Sequence, residues 1–239
     1  MDTQIINIGN RIVNQYLLRF NNGIIIIDTS YPGYFNSFAK KFKALGFSKD
    51  EIKFIVLTHA HDDHAGFLNE LLDFCDAPVI LHEKAVERLK RGQNVFEGGC
   101  STRLAYTFCL LMKLFGKKHL FPKLDKPERY IILQDNPEVL KQHGFPVELI
   151  ELPGHTADSI GLILDNKIFC GDAAMNGFPS QAKHTIWIEN IEMFQQSWNK
   201  IIETGVEMVY PSHGKPFPTQ EFLEQKDFMK GRKLIPLKE

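Results

Sequence analysis

FIVLTHAHDDHAGF, residues 54–67, runs an apolar strand pattern straight into three histidines and two aspartates packed within six positions. Phe54–Leu57 reads as a strand buried on both faces, and His59–His64 as the loop that follows it. His59 and His61, two apart, point the same way where the backbone is locally extended, so both imidazoles can hold one metal ion. Asp63 and His64 face elsewhere once the chain turns tightly into the helix marked by Leu68, Leu71, Leu72 and Cys75. A catalytic tetrahedral zinc site takes three protein ligands and keeps one position open for water. Four ligand-type side chains in one loop therefore suit two metals better than one.

Two metals need further ligands, and three candidates follow in the same context. His155 sits in LPGHTADS after a strand and a Pro-Gly turn, Asp172 ends the strand KIFCGD, and His213 sits in YPSHGKP after another strand. Taken singly, such a histidine is more often an ordinary surface residue, and an aspartate ending a strand is commonly a turn former. Taken with the crowded loop, they complete two ligand sets. His59, His61 and His155 make a three-nitrogen site, Asp63, His64 and His213 make the other, and Asp172 bridges the two.

Composition narrows the setting. The chain has 239 residues, 44% of them hydrophobic, and a formal net charge of −1. No global field favours nucleic acid or an anionic membrane, so the expected partner is a small-molecule substrate, with no nucleic acid and no membrane. The opening MDTQIINIGN lacks the build of a signal peptide, and no apolar run approaches the ~20 residues that span a bilayer. Cys75, Cys100, Cys109 and Cys170 form no C-x-x-C pair and read as reduced thiols, which points to the cytoplasm.

Along the chain, QIINIG, IVNQYLLRF and GIIIID read as strands. Phe35, Phe38, Phe42 and Leu45 mark the inner face of a helix opposite Lys40, Lys41 and Lys43. PVIL is a strand and EKAVERLKR an exposed helix. VELIEL, GLILD and KIFCG are strands again, IEMFQQSWNKIIETG is a helix stopped at Gly205, EMVYPSHG is a strand entering a histidine loop, and TQEFLEQKDFM is a helix. No linker composition divides the chain, so residues 1–239 read as one domain. Residues 92–128 break the rhythm as a helical insertion. STRLAYTFCLLMKLF within it is a helix capped by Ser101 and apolar nearly all round, which must wall a pocket, lie in the core or meet a second copy in a homodimer.

THAHDDH matches the T-H-x-H-x-D-H signature of metallo-β-lactamase fold hydrolases, and PGHT, GD and SHG follow in the family's order. On these motifs the chain resembles the glyoxalase II-like and lactonase-like branch of that superfamily, in which an aspartate, here Asp172, bridges the metals. The resemblance implies an α/β fold, an αββα four-layer sandwich of two mixed β-sheets packed face to face with helices outside. It also implies a binuclear site built from His59, His61, Asp63, His64, His155, Asp172 and His213. Asp28, which ends IIIID, and Thr58 would support those ligands, with Thr156 and Ser159 as further hydroxyls nearby.

Two divalent ions, zinc first and iron or manganese as alternatives, can share a water and acidify it to hydroxide near neutral pH. Asp63 would accept a hydrogen bond from it and pass a proton to the leaving group. The expected activity is hydrolysis of a small ester, lactone or thioester, with phosphodiester hydrolysis or iron-dependent sulfur dioxygenation as the alternatives. Tyr106, Phe108 and Met112 in the insertion, with Leu110, Leu111 and Phe115, would give a pocket wall its apolar character. His184 and Trp187 stand as candidate substrate contacts, against a reading of His184 as a surface histidine.

Overall fold

The aliphatic run Ile24–Ile27 has no polar side to turn to water, and it forms a strand in which each of those residues is buried. The computed structural model describes residues 3–237. Its first stretch runs β1 (Gln4–Asn7), β2 (Tyr16–Phe20), β3 (Gly23–Ile27), α1 (Phe35–Ala44), β4 (Ile52–Val56), α2 (Leu68–Phe74), β5 (Val79–Leu81) and α3 (Glu83–Arg91). The short strand β6 (Gly99–Cys100) and helix α4 (Arg103–Leu114) come next, then β7 (Tyr130–Ile132) and α5 (Val139–Gln142). The chain ends with β8 (Val147–Glu151), β9 (Ile160–Leu164), β10 (Lys167–Asn176), β11 (Trp187–Ile188), α6 (Ile191–Glu203), β12 (Met208–Gly214), β13 (Phe217–Pro218) and α7 (Gln220–Gln225).

These elements fall into two interleaved units. One runs through Asn94 and resumes over His119–Pro146, and the other takes Val95–Lys118 and everything from Val147 onward. The stretch 92–128 is thus no single insertion. Its first part, with β6 and α4, belongs to the second unit, and the remainder returns to the first.

The first unit holds a mixed six-stranded sheet in the order β1-β2-β3-β4-β5-β7. β1, β2 and β3 pair antiparallel, and β3, β4, β5 and β7 pair parallel. Phe38 and Phe42 of α1, Leu68, Leu71 and Leu72 of α2, and Ala85 and Leu89 of α3 pack on Ile24, Ile26, Ile55 and Val79. Alternation puts Ile25, Ile27, Val56 and Ile80 on the opposite face, and they are equally buried. Leu45, expected on the inner face of α1, is instead the exposed residue that caps its C-terminal end. Parallel pairing of β3 with β4 brings Asp28 and Thr58, just past the two strand ends, together at one edge.

The second unit holds a mixed five-stranded sheet in the order β13-β12-β10-β9-β8, with β10 and β12 parallel and the other pairs antiparallel. Phe194, Trp198 and Ile201 of α6 and Phe222 of α7 form its core with Ile168, Cys170 and Val209. β6 and β11 make a separate two-stranded ribbon, against which α4 places Ala105. The cap of α4 is Thr102, whose hydroxyl accepts from the Ala105 amide. Ser101, expected in that role, donates to the Thr185 carbonyl instead. Among the described residues, no helix is long and apolar enough to cross a membrane.

Candidate metal centre

In the first unit the histidine loop is held from beneath by one carboxylate. Asp28 is buried and left-handed at φ 59°, a conformation that aspartate tolerates better than most residues. Its Oδ1 accepts the Thr58 amide at 2.7 Å, and its Oδ2 accepts the Thr58 hydroxyl at 2.7 Å and faces His64 Nδ1 at 2.9 Å. Because the Thr58 proton goes to Asp28, its hydroxyl oxygen is left to accept from His59 Nδ1, 3.1 Å away. Both imidazoles therefore carry their proton on Nδ1 and present Nε2 as the lone pair. This is the way metal-binding histidines are set by their supports.

The loop itself is tight. The Ala65 amide bonds to the His61 carbonyl, and the Thr29 hydroxyl closes on the His64 carbonyl at 2.7 Å. Gly66 lies so close to the Ser30 and Asp62 carbonyls that a Cβ there would collide with both. The His59 ring centroid lies 4.7 Å from that of His61 and 3.9 Å from that of His64. Asp63 Oδ1 stands 3.6 Å from His64 Nε2, and its side chain keeps 15% exposure.

Sequence reasoning missed a clasp on this loop. Asp62 is buried, and its amide donates to Asn94 Oδ1 at 2.8 Å while Asn94 Nδ2 returns a bond to Asp62 Oδ1 at 2.9 Å. His119 Nδ1 reaches the same carboxylate oxygen at 3.2 Å. Asn94 and His119 are joined through their backbones where the chain leaves the first unit and re-enters it. Asp62 was visible within HDDH, but nothing local in the sequence marks Asn94 or His119 as its partners.

The second unit carries its own three candidate ligands. His155 Nδ1 lies 2.8 Å from the Trp187 carbonyl, which fixes that nitrogen as the protonated one. Its Nε2 is 3.7 Å from Asp172 Oδ2, and His213 Nε2 is 3.5 Å from the same oxygen. These separations exceed a good hydrogen bond. Donors each ~2.1 Å from a shared tetrahedral ion would stand roughly 3.4 Å apart. Gly154, at φ 136°, lets the turn before His155 lie against the Phe194 backbone, where a side chain would clash. Thr156 and Ser159 bond to each other at 2.7 Å and brace that turn.

Asp172 does not end its strand, as the sequence suggested. β10 continues to Asn176 with register shifts on both sides of Gly171. Such irregularities re-aim a side chain out of the regular alternation. His213 likewise lies within β12 rather than after it. The donors in both units are imidazole and carboxylate, which fit zinc, iron or manganese.

The insertion residues fare differently. Tyr106, Phe108, Leu110 and Met112 are half-buried on α4, whereas Leu111 and Phe115, expected in the same pocket wall, are exposed to solvent. Trp187 contributes its carbonyl to His155, while its indole donates to the Glu97 carbonyl and packs with Ala105 and Cys100. His184 is neither on the surface nor placed as a substrate contact. It is 1% exposed, stacked on Trp198 at 4.1 Å with Phe194 and Phe228 around it.

Burial pushes the His184 imidazole down from 6.5 to about 4. Between those values the unfolded chain binds a proton that the folded chain refuses, so stability is lost as pH falls and levels off below the lower one. At about 1.4 kcal/mol per pH unit the loss approaches ~3 kcal/mol. Urea titrations of metal-free wild type and His184→Phe across that range should show the wild type losing the greater stability, and parallel losses would contradict the assignment.

The sequence profile of the Metallo-beta-lactamase superfamily matches residues 8–213. A probable metallo-hydrolase of Methanocaldococcus jannaschii is 28% identical over 207 residues, covering 84% of this chain and 87% of that protein. Among solved structures, ST1585 from Sulfolobus tokodaii, an archaeal metallo-beta-lactamase superfamily protein, aligns with a TM-score of 0.64 at 20% identity over 99% of this chain and 89% of its own. TTHA1623 in a di-iron-bound form aligns with a TM-score of 0.66 at 20% identity, over 94% of this chain and 99% of its own. The two structures share the fold seen here.

Proposed function

The chain belongs to the metallo-β-lactamase superfamily of metal-dependent hydrolases, and from that premise we propose that it is a binuclear enzyme cleaving a small ester, lactone or thioester. The observation that carries this reading is the common setting of three histidines. His59, His64 and His155 each have Nδ1 engaged by a neighbouring oxygen, so each offers Nε2 to a metal. His59, His61 and His155 would hold one ion and Asp63, His64 and His213 the second, with Asp172 as the carboxylate shared between the two sets. Zinc is the favoured pair, with iron as the alternative that the di-iron form of TTHA1623 makes concrete.

The ions supply Lewis acidity and a nucleophilic water at neutral pH. The chain's own residues do the rest. Asp28 and Thr58 keep His59 and His64 in the ligand tautomer. Asp63, the partly exposed carboxylate of its loop, would accept a hydrogen bond from the attacking hydroxide and pass a proton to the leaving group. An aspartate at position 172, rather than the cysteine or serine usual in true β-lactamases, favours the thioesterase, lactonase and phosphodiesterase branches over β-lactam cleavage. Free thiols at all four cysteines accord with a cytoplasmic location.

Elemental analysis of the purified protein should find two metals per chain. Asp63→Asn should then cut ester turnover by roughly 100-fold or more while keeping most of the metal at the three-histidine site. A single metal per chain, or full turnover in the metallated variant, would refute the mechanism.

Half-buried Phe108 and Met112 suit an apolar acyl group. Replacing both with alanine should raise KM for long-chain nitrophenyl esters roughly tenfold over short ones, with a modest fall in melting temperature. If the pair is ordinary core, activity on every chain length falls alike, and each truncation costs ~2–5 kcal/mol.

A further inference from the structure

Helix α4 has one face with a partner and one without. Ala105 and Cys109 pack toward Cys100 and Trp187, whereas Leu104, Leu111, Leu114 and Phe115 stand in solvent, the last two 73% and 87% exposed. Phe178, on the loop after β10, is 77% exposed and meets Phe108 edge-on at 6.1 Å, which extends the apolar ridge. Large apolar side chains this exposed and this close together mark an interaction surface.

The charge around the ridge decides what it fits. From Ser101 to Lys118 there is no aspartate or glutamate, while Arg103, Lys113, Lys117 and Lys118 are cationic, in a chain whose net charge is −1. Beside the start of α4 lies a cleft of about 410 Å³ lined by Ser101, Thr102, Arg103, Arg232 and Lys233 among others, with no acidic side chain. The ridge is therefore basic at both ends. Two copies meeting through it about a two-fold axis would oppose cation to cation, with no carboxylate of the segment to answer. At twelve residues α4 is also too short to span a bilayer.

We propose that this face docks the protein on the surface of an anionic lipid bilayer. Leu111, Leu114, Phe115 and Phe178 enter the acyl boundary, the lysines keep their stems in it and their ammonium groups at the headgroups, and the cleft at Arg103 takes a lipid phosphate. The low net charge and the lack of a spanning segment do not oppose this, because a helix lying in the interface needs only local charge and a local apolar face.

The test is sedimentation of the full, metal-loaded chain with phosphatidylcholine vesicles, with and without phosphatidylglycerol. Binding should be roughly tenfold stronger to the anionic vesicles and should fade as salt rises. Leu111→Ser with Phe115→Ser, and separately Arg103→Glu with Lys118→Glu, should each weaken it about tenfold. Leu111, Phe115, Arg103 and Lys118 are all exposed, so melting temperature and turnover of a water-soluble ester should be unchanged. No binding to either vesicle, or binding that ignores both variants, overturns the proposal. Self-association that Leu111→Ser with Phe115→Ser abolishes, without vesicle binding, would assign the face to a second copy.

Discussion

Asp28→Ala should lower metal affinity or turnover by about 10–100-fold and remove about 3–5 kcal/mol of stability. The carboxylate is the meeting point of the Thr58 amide, the Thr58 hydroxyl and His64 Nδ1, all buried. Deleting it strands these donors away from water, and each stranded donor costs about 1–3 kcal/mol. It also frees the His64 ring to change tautomer, and His59 with it through Thr58. Alanine further fits poorly at a left-handed position, a penalty of roughly 1–2 kcal/mol. Asp28→Asn separates the effects, since it keeps the volume and one acceptor while giving His64 an ambiguous partner. Denaturant unfolding and elemental analysis read the two losses independently, and an Asp28→Ala protein with full metal content and turnover would show that the loop holds itself.

Trp198→Ala should be comparably damaging, by a different route. Trp198 is buried in the second unit with His184 stacked on it at 4.1 Å and Phe222 edge-on at 4.2 Å. Its truncation opens a cavity worth about 3–5 kcal/mol. Its indole also donates to the Ala173 carbonyl at 2.7 Å, next in the chain to Asp172. The damage should therefore reach the metal site, with metal content falling alongside melting temperature. Trp198→Phe refills most of the space and loses mainly the hydrogen bond, so it should cost only about 1–2 kcal/mol. A Trp198→Ala variant that melts within a degree or two of wild type would mean that the aromatic cluster is not what supports β10.

The strands that frame the site were legible because their physics is local. GIIIID and KFIVL leave no polar face to expose, and they became β3 and β4. The density of imidazoles and carboxylates in HAHDDH marked the chemistry for the same reason. What escaped depends on distant parts of the chain. β7 is only three residues, Tyr130–Ile132, and becomes a strand by pairing with β5. Ser101 and Thr102 are both good caps, and the choice between them follows from the Thr185 carbonyl that claims Ser101. The bulge that re-aims Asp172 arises from pairing with β12. His184 gave no sign of burial, because a lone histidine looks the same on a surface as it does on a tryptophan face.

The interleaving of the two units bears on the order in which a growing chain can fold. Cys100 pairs with Trp187 in the β6–β11 ribbon, so α4 emerges from the ribosome long before the strand that anchors it. Pro146 is the last residue of the first unit, and until Trp187 arrives the helix lacks its ribbon partner and waits as an apolar, basic segment. A gene cut after Pro146 would leave it there permanently, with Ala105 and Cys109 exposed as well as the ridge. Such a fragment should be sticky toward chaperones and lipid alike, and the remainder beginning at Val147 would lack β6, the ribbon partner of the strand whose Trp187 carbonyl positions His155. The halves of this protein cannot be separated by a single cut.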